Sequence, residues 1–137
     1  MSVARIVALV IGWFFTILGI VGFLAVGLGS GFFLGLATNA LHNLVWLVTG
    51  LVGLYFGYYQ AGRFSRTFDQ VVGIVYAILT IAGFIAVGLG TGTLLGIVPL
   101  SLVNNILHLV TAVVALVAGY WPARMAMERE ERMKRAA

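Results

Sequence analysis

The sequence predicts an all-α integral membrane protein, a four-helix bundle built from two tandem helical-hairpin repeats. The scarcity of charge, the positions of the charges and an internal repeat predict this fold class. Of the 137 residues, 62% are hydrophobic and 9% are charged, whereas about 25% of a typical soluble domain is charged. So few charged side chains could not cover a water-facing surface. A soluble domain and a nucleic-acid-binding protein are therefore excluded, and the lack of cysteine excludes a disulfide scaffold.

The charge-free runs predict four membrane-spanning helices. Residues 6–62 and 70–123 contain no charged side chain. One crossing of the hydrocarbon needs about 20 residues, so each run is long enough for two helices and a connection. Glycine-rich segments at 27–31 and 88–92 interrupt the runs, because glycine weakens helix interiors and favours turns. The predicted helices cover 4–27, 39–60, 69–88 and 102–121.

The basic residues predict the orientation of the chain. Arg5 precedes the first helix, Arg63 and Arg66 lie between the second and third, and five basic residues follow the fourth. The connections at 28–38 and 89–101 contain no charge, and we expect them to lie in the membrane interface or to re-enter the bilayer. The positive-inside rule therefore predicts a multi-pass membrane protein with cytoplasmic N- and C-termini.

Two similar halves make up the membrane region. The segment Gly22-Phe23-Leu24-Ala25-Val26-Gly27 recurs as Gly83-Phe84-Ile85-Ala86-Val87-Gly88. We predict one hairpin repeat over 1–62, a second over 63–121, and a charged cytoplasmic helical tail over 122–137. Repeats that both start from the cytoplasm are related by a pseudo-twofold axis along the membrane normal. Small residues at matching positions are expected to pack helices closely: Gly53, Gly57, Ala115 and Gly119.

Polar residues at the starts of the second and fourth helices are the candidate site. Asn39, His42 and Asn43 stand in the first repeat, and Asn104, Asn105 and His108 in the second. Polar side chains in hydrocarbon usually face a bundle interior or water. We expect the four asparagines to be structural, bonding to the glycine-rich connections and holding the hairpins together, with Asn39, Thr38 or Ser101 capping the helix starts.

Three functional hypotheses follow from these residues. The leading one is a non-enzymatic structural or accessory subunit, which packs in the bilayer against itself or a larger membrane complex. In the second, His42 or His108 ligates haem or chlorophyll, although no metal-ligand set stands near either histidine. The third, a small channel or carrier, is disfavoured because no charged side chain is predicted to lie within the membrane. No catalytic constellation is present, so we expect no enzyme activity and no required cofactor or nucleic-acid partner.

The segment Asn39-Ala40-Leu41-His42-Asn43, with a second Asn-Xaa-Xaa-His at Asn105–His108, resembles a bacterial membrane family, the domain-of-unknown-function family 4383. The resemblance covers residues 4–121. It implies a small integral membrane protein of four helices in two hairpins and brings no assigned activity. The family pattern has a second histidine four residues after the first, where this chain has Trp46.

Overall fold

Four long helices form the body of the protein. The computed structural model describes residues 1–122 and 131–137. The helices are α1 (Val3–Val26), α2 (Ala40–Tyr58), α3 (Ser65–Gly88) and α4 (Leu102–Tyr120), and a short 3₁₀ turn at Tyr59–Gly62 follows α2. Each is long and apolar enough to cross a membrane, since 19 to 24 residues rise about 28 to 36 Å. The prediction of four apolar helices packed as a bundle is confirmed.

The two glycine-rich connections are antiparallel β-hairpins, which corrects the all-α prediction. Strands β1 (Ser30–Phe33) and β2 (Leu36–Asn39) form the first hairpin, and β3 (Thr93–Leu94) and β4 (Val98–Pro99) the second. Each turn uses a leucine-glycine pair with positive φ, at Leu34-Gly35 and at Leu95-Gly96, a conformation that suits tight hairpin turns. Strand pairing satisfies backbone N–H and C=O groups that a structureless apolar loop would leave without partners.

Helix α3 begins earlier than the sequence predicted. The prediction started it at Asp69, but the helix starts at Ser65. The charged residue was taken as the boundary of the apolar run, whereas the chain leaves its turn through Gly62, whose φ of 83° marks the break. Asp69 therefore lies in the second turn of a membrane-length helix instead of at its first position.

The closest helix packing occurs within each hairpin, between α1 and α2 and between α3 and α4. A Cβ atom added to Gly12 would lie 2.7 Å from the backbone nitrogen of Leu54, and one added to Gly73 would lie 2.9 Å from the backbone nitrogen of Leu116. Such close approach of helix backbones requires small residues. The four residues predicted for helix packing, Gly53, Gly57, Ala115 and Gly119, are all buried.

Arg5 and Arg66 each bind the C-terminal end of the other helix in the same hairpin. Arg5 Nε donates to the carbonyl oxygen of Gly57 over 3.0 Å, and Arg66 Nε donates to that of Gly119 over 3.0 Å. The last carbonyls of a helix have no intrahelical donor and carry partial negative charge. Each arginine therefore ties the start of one helix to the end of the next.

The predicted tail helix over 122–137 lies partly outside the described residues. Residues 131–136 are helical. Opposite charges four residues apart predict ion pairs along this tail. Glu128/Arg132 and Glu130/Lys134 each include a residue outside the described part, whereas Glu131/Arg135 lies within this helical segment.

Candidate functional site

A buried polar cluster lies where the two β-hairpins meet the starts of α2 and α4. Its members come from both halves of the chain and are buried or half-buried. The cluster contains every polar residue that the sequence singled out: Thr38, Asn39, His42, Asn43, Ser101, Asn104, Asn105 and His108.

Two members of the polar cluster cap the helix starts. Asn39 Oδ1 accepts from the backbone N–H of His42 over 2.9 Å. Ser101 Oγ accepts from the backbone N–H of Asn104, and Asn104 Oδ1 accepts in return from the backbone N–H of Ser101, which completes a capping box. These bonds satisfy donors that a helix start leaves free. The capping prediction is confirmed for Asn39 and Ser101, whereas Thr38 binds Asn43 instead.

Asn104 joins the two halves of the chain. Its Oδ1 accepts from the backbone N–H of Ala37 in β2 over 2.9 Å. The same oxygen lies 2.7 Å from Ser101 Oγ, whose single proton goes either to Asn104 or to the carbonyl oxygen of Gly35, also 2.7 Å away. Asn39 Nδ2 donates to the carbonyl oxygen of Ile97 over 2.8 Å. Three side chains thus bond from one hairpin to the other.

Asn43 and Asn105 hold equivalent places against the first helix of each hairpin. A Cβ at Gly22 would collide with the amide oxygen of Asn43, and one at Gly83 would collide with that of Asn105. The Asn43 oxygen accepts from the Thr38 hydroxyl over 2.6 Å. Neither amide atom of Asn105 has a hydrogen-bond partner among the described residues. Asn105 follows Asn43 by 62 positions, and the residue at the same distance from Thr38 is Leu100, which has no hydroxyl to donate.

The two histidines lie close together on α2 and α4. Their ring centroids are 6.1 Å apart, His42 packs on Trp46 at 4.2 Å, and His108 packs on Tyr76 at 5.5 Å. Both rings are almost fully buried, and neither Nδ1 atom has a hydrogen-bond partner in the part of the chain that the structure describes. The structure brings together the two residues that the sequence proposed as cofactor ligands, and the Trp46 that stands in place of a histidine contacts His42.

The space beside the histidines limits what they could hold. They line a cavity of about 120 Å³ together with Trp46 and Tyr76. Pockets for drug-sized ligands occupy about 300–1,000 Å³, so a haem or chlorophyll macrocycle requires this site to open. Among the described residues, no group of three or more His, Cys, Asp or Glu side chains could hold a metal ion. The cavity is wide enough for water.

Asp69 is a buried carboxylate that the sequence placed at the start of the third helix and that the structure places in its second turn. Its exposed fraction is 0%, and neither carboxylate oxygen accepts a hydrogen bond within residues 1–122 and 131–137. Ser65, Asp69, Tyr76 and Thr80 are all buried on α3 at helical spacing. That helical spacing was the feature of the sequence that could have placed Asp69 on the buried face of α3. Burying an ionisable side chain inside a membrane helix costs free energy, and such a residue is therefore a candidate functional residue.

The fold and the polar cluster define a small membrane protein of four helices, with a cluster of polar side chains buried at one end of the bundle. The chain belongs to the family described as Domain of unknown function (DUF4383), whose match covers residues 5–121, and the predicted resemblance is confirmed. No curated protein and no solved structure matches the chain.

Proposed function

We propose that the protein is a non-enzymatic structural or accessory subunit of a membrane, which packs against further copies of itself or a larger complex. One observation carries this proposal: the polar side chains of the cluster bond one hairpin to the other, as Asn104 does to Ala37 and Asn39 to Ile97. Side chains used in this way build a rigid body. A rigid bundle with long apolar faces suits assembly in the bilayer.

The two hairpins are proposed to be tandem repeats about a pseudo-twofold axis along the membrane normal. Matched contacts support this. Arg5 binds Gly57 as Arg66 binds Gly119, and Gly22 lies against Asn43 as Gly83 lies against Asn105. The partners are offset by 61 and 62 positions, the offsets at which the sequence repeats. We divide the chain accordingly at residue 62 and at residue 121.

The proposed location is the inner membrane of a prokaryote, with both termini in the cytoplasm. Arg5 and Arg66 lie at the same ends of their hairpins and bind the ends of α2 and α4. The described residues of the two β-hairpins contain no charged side chain. This asymmetry supports the positive-inside assignment.

The accessory role is tested by extraction in mild detergent. Light scattering that separates protein mass from detergent mass should give a particle with more protein than one 14.6 kDa chain. Identification of co-purifying chains then separates self-assembly from a larger complex. A particle with one chain and no partner contradicts the proposal.

A small ion or proton carrier is the second candidate, and Asp69 is the observation that favours it. The sequence disfavoured this class because no charge is predicted to lie within the membrane, whereas Asp69 is buried inside the helix bundle. Flux into proteoliposomes tests the candidate: Asp69→Asn should abolish transport, while Glu131→Gln, which alters an exposed acid outside the four helices, should not. Equal flux in the wild type, in Asp69→Asn and in empty vesicles rejects it.

A further inference from the structure

A long apolar groove separates the two hairpins on one side of the bundle. It lies between α2 and α3 and has a volume of about 350 Å³. Apolar side chains form most of its walls, including Val48, Val52, Phe56, Phe64, Val71 and Val75. Thr49 and Tyr76 also line it, and their hydroxyl oxygens are 3.5 Å apart.

The length of the groove matches one leaflet of a bilayer. Along α3 its lining extends from Phe64 to Tyr76, a rise of about 18 Å at 1.5 Å per residue. Half of the hydrocarbon core of a bilayer is about 15 Å thick. A membrane helix is about 10–12 Å wide with its side chains, which is too wide for a cavity of this volume and length. The groove therefore suits a flexible hydrocarbon chain better than a helix of another copy.

An arginine without a hydrogen-bond acceptor lies at the mouth of the groove. The guanidinium carbon of Arg63 is 5.5 Å from the ring centroid of Phe64, which lines the groove. Arg5 and Arg66 at the same end of the bundle donate to helix-terminal carbonyls. The Arg63 side chain is exposed, and its guanidinium donates no hydrogen bond within the described residues. Its fork of N–H donors is suited to two oxygens of a phosphate.

We propose that this groove binds one anionic phospholipid, with an acyl chain along α2 and α3 and the headgroup phosphate on Arg63. Apolar contacts hold the acyl chain, and the guanidinium of Arg63 binds the negatively charged phosphate. Every phospholipid carries a phosphate, so the preference for a lipid with net negative charge comes from the positive charge of Arg63, which forms no ion pair within residues 1–122 and 131–137. This site lies on the outer surface of the bundle, and Tyr76 lines both the groove and the cavity beside the histidines.

Native mass spectrometry of the purified full chain tests the site with two probes. Phosphatidylglycerol and phosphatidylcholine with identical acyl chains are added at equal concentration, and bound lipid is counted per protein chain. We expect one retained phosphatidylglycerol. Arg63→Gln should weaken its binding about fivefold, the factor that corresponds to about 1 kcal/mol for one basic residue at an anionic surface. The matched control is Arg132→Gln, which removes the same charge from an exposed position beyond the helices.

A second variant tests the groove itself. Val75→Trp fills the cavity from its wall and should reduce retention of both lipids, while circular dichroism checks that the helices remain. Equal phosphatidylglycerol binding in Arg63→Gln and Arg132→Gln would overturn the headgroup assignment. Unchanged lipid retention in a folded Val75→Trp would overturn the groove. If the protein is a dimer that retains no lipid, and Val75→Trp dissociates this dimer, then a second copy of the chain occupies the groove instead.

Discussion

The amide oxygen of Asn104 accepts a hydrogen bond from the backbone N–H of Ala37, and this bond joins residues that lie 67 positions apart. It connects the start of α4 to the second strand of the first β-hairpin. Because Asn104 and Ala37 are almost completely buried, neither group has water as an alternative partner. The two halves of the protein are therefore held in register by a side chain as well as by helix packing.

Asn104→Ala should lower the free energy of unfolding by about 1–3 kcal/mol, because it leaves the buried N–H of Ala37 without an acceptor. Unfolding in mixed detergent micelles, followed by circular dichroism, measures the change. Leu102→Ala is the control, since Leu102 lies in the same turn but is 57% exposed. Equal stability losses in the two variants would show that the bond to Ala37 contributes nothing specific.

Gly22→Ala should destabilise the protein because the new Cβ would collide with the amide of Asn43. Gly83→Ala should do the same through Asn105. Inserting a methyl group into a packed interior costs about 1–3 kcal/mol, and thermal unfolding measures that loss.

Gly88→Ala is the matched control for these two variants. Gly88 is the last residue of α3, and a Cβ there meets nothing within 4 Å. Alanine favours helix over glycine by about 0.5–1 kcal/mol, so this variant should match or exceed the wild type. The assigned helix contacts would be contradicted if Gly22→Ala were as stable as Gly88→Ala.

Asp69→Asn should raise the stability of the protein. The carboxylate is acceptor-only when ionised, and it finds no donor among the described residues. A buried group without a partner costs about 1–3 kcal/mol and more when charged, whereas asparagine has nearly the same shape and no charge. The unfolding midpoint in detergent is the measurement, with Glu131→Gln as the control for loss of an exposed acid. A large fall in the midpoint would mean that Asp69 has a bound partner in the folded protein.

The sequence predicts the helices well because their physics is local. A run without charge, as in residues 6–62, has a length that can be compared directly with the thickness of a bilayer. The start of α3 was wrong because a lone charge beside an apolar run has two meanings. Such a charged residue either marks the end of the helix or is buried within it, and the packing of neighbouring helices determines which of the two applies.

The polar cluster was predictable by residue but not by partner. Asn39, Asn104 and the two histidines stand out because polar side chains are rare in these helices. The partners of Asn104, Asn39 and Ser101 in the other hairpin are Ala37, Ile97 and Gly35. These partners contribute only backbone atoms, which every residue carries. The β-hairpins escaped prediction for a similar reason: strands of two to four residues are too short to display an alternating pattern.

Cysteine labelling in intact cells should place the β-hairpins on the outer face of the membrane and the C-terminus on the inner face. The natural chain has no cysteine, so each introduced thiol reports one position. Ser30→Cys lies at the exposed start of the first hairpin, and Ala137→Cys lies at the exposed end of the chain. A membrane-impermeant maleimide should label Ser30→Cys before lysis and Ala137→Cys only after it, because positively charged segments stay in the cytoplasm. The reverse pattern would overturn the orientation. Labelling of both positions before lysis, with a cytoplasmic marker protected, would contradict an even number of crossings.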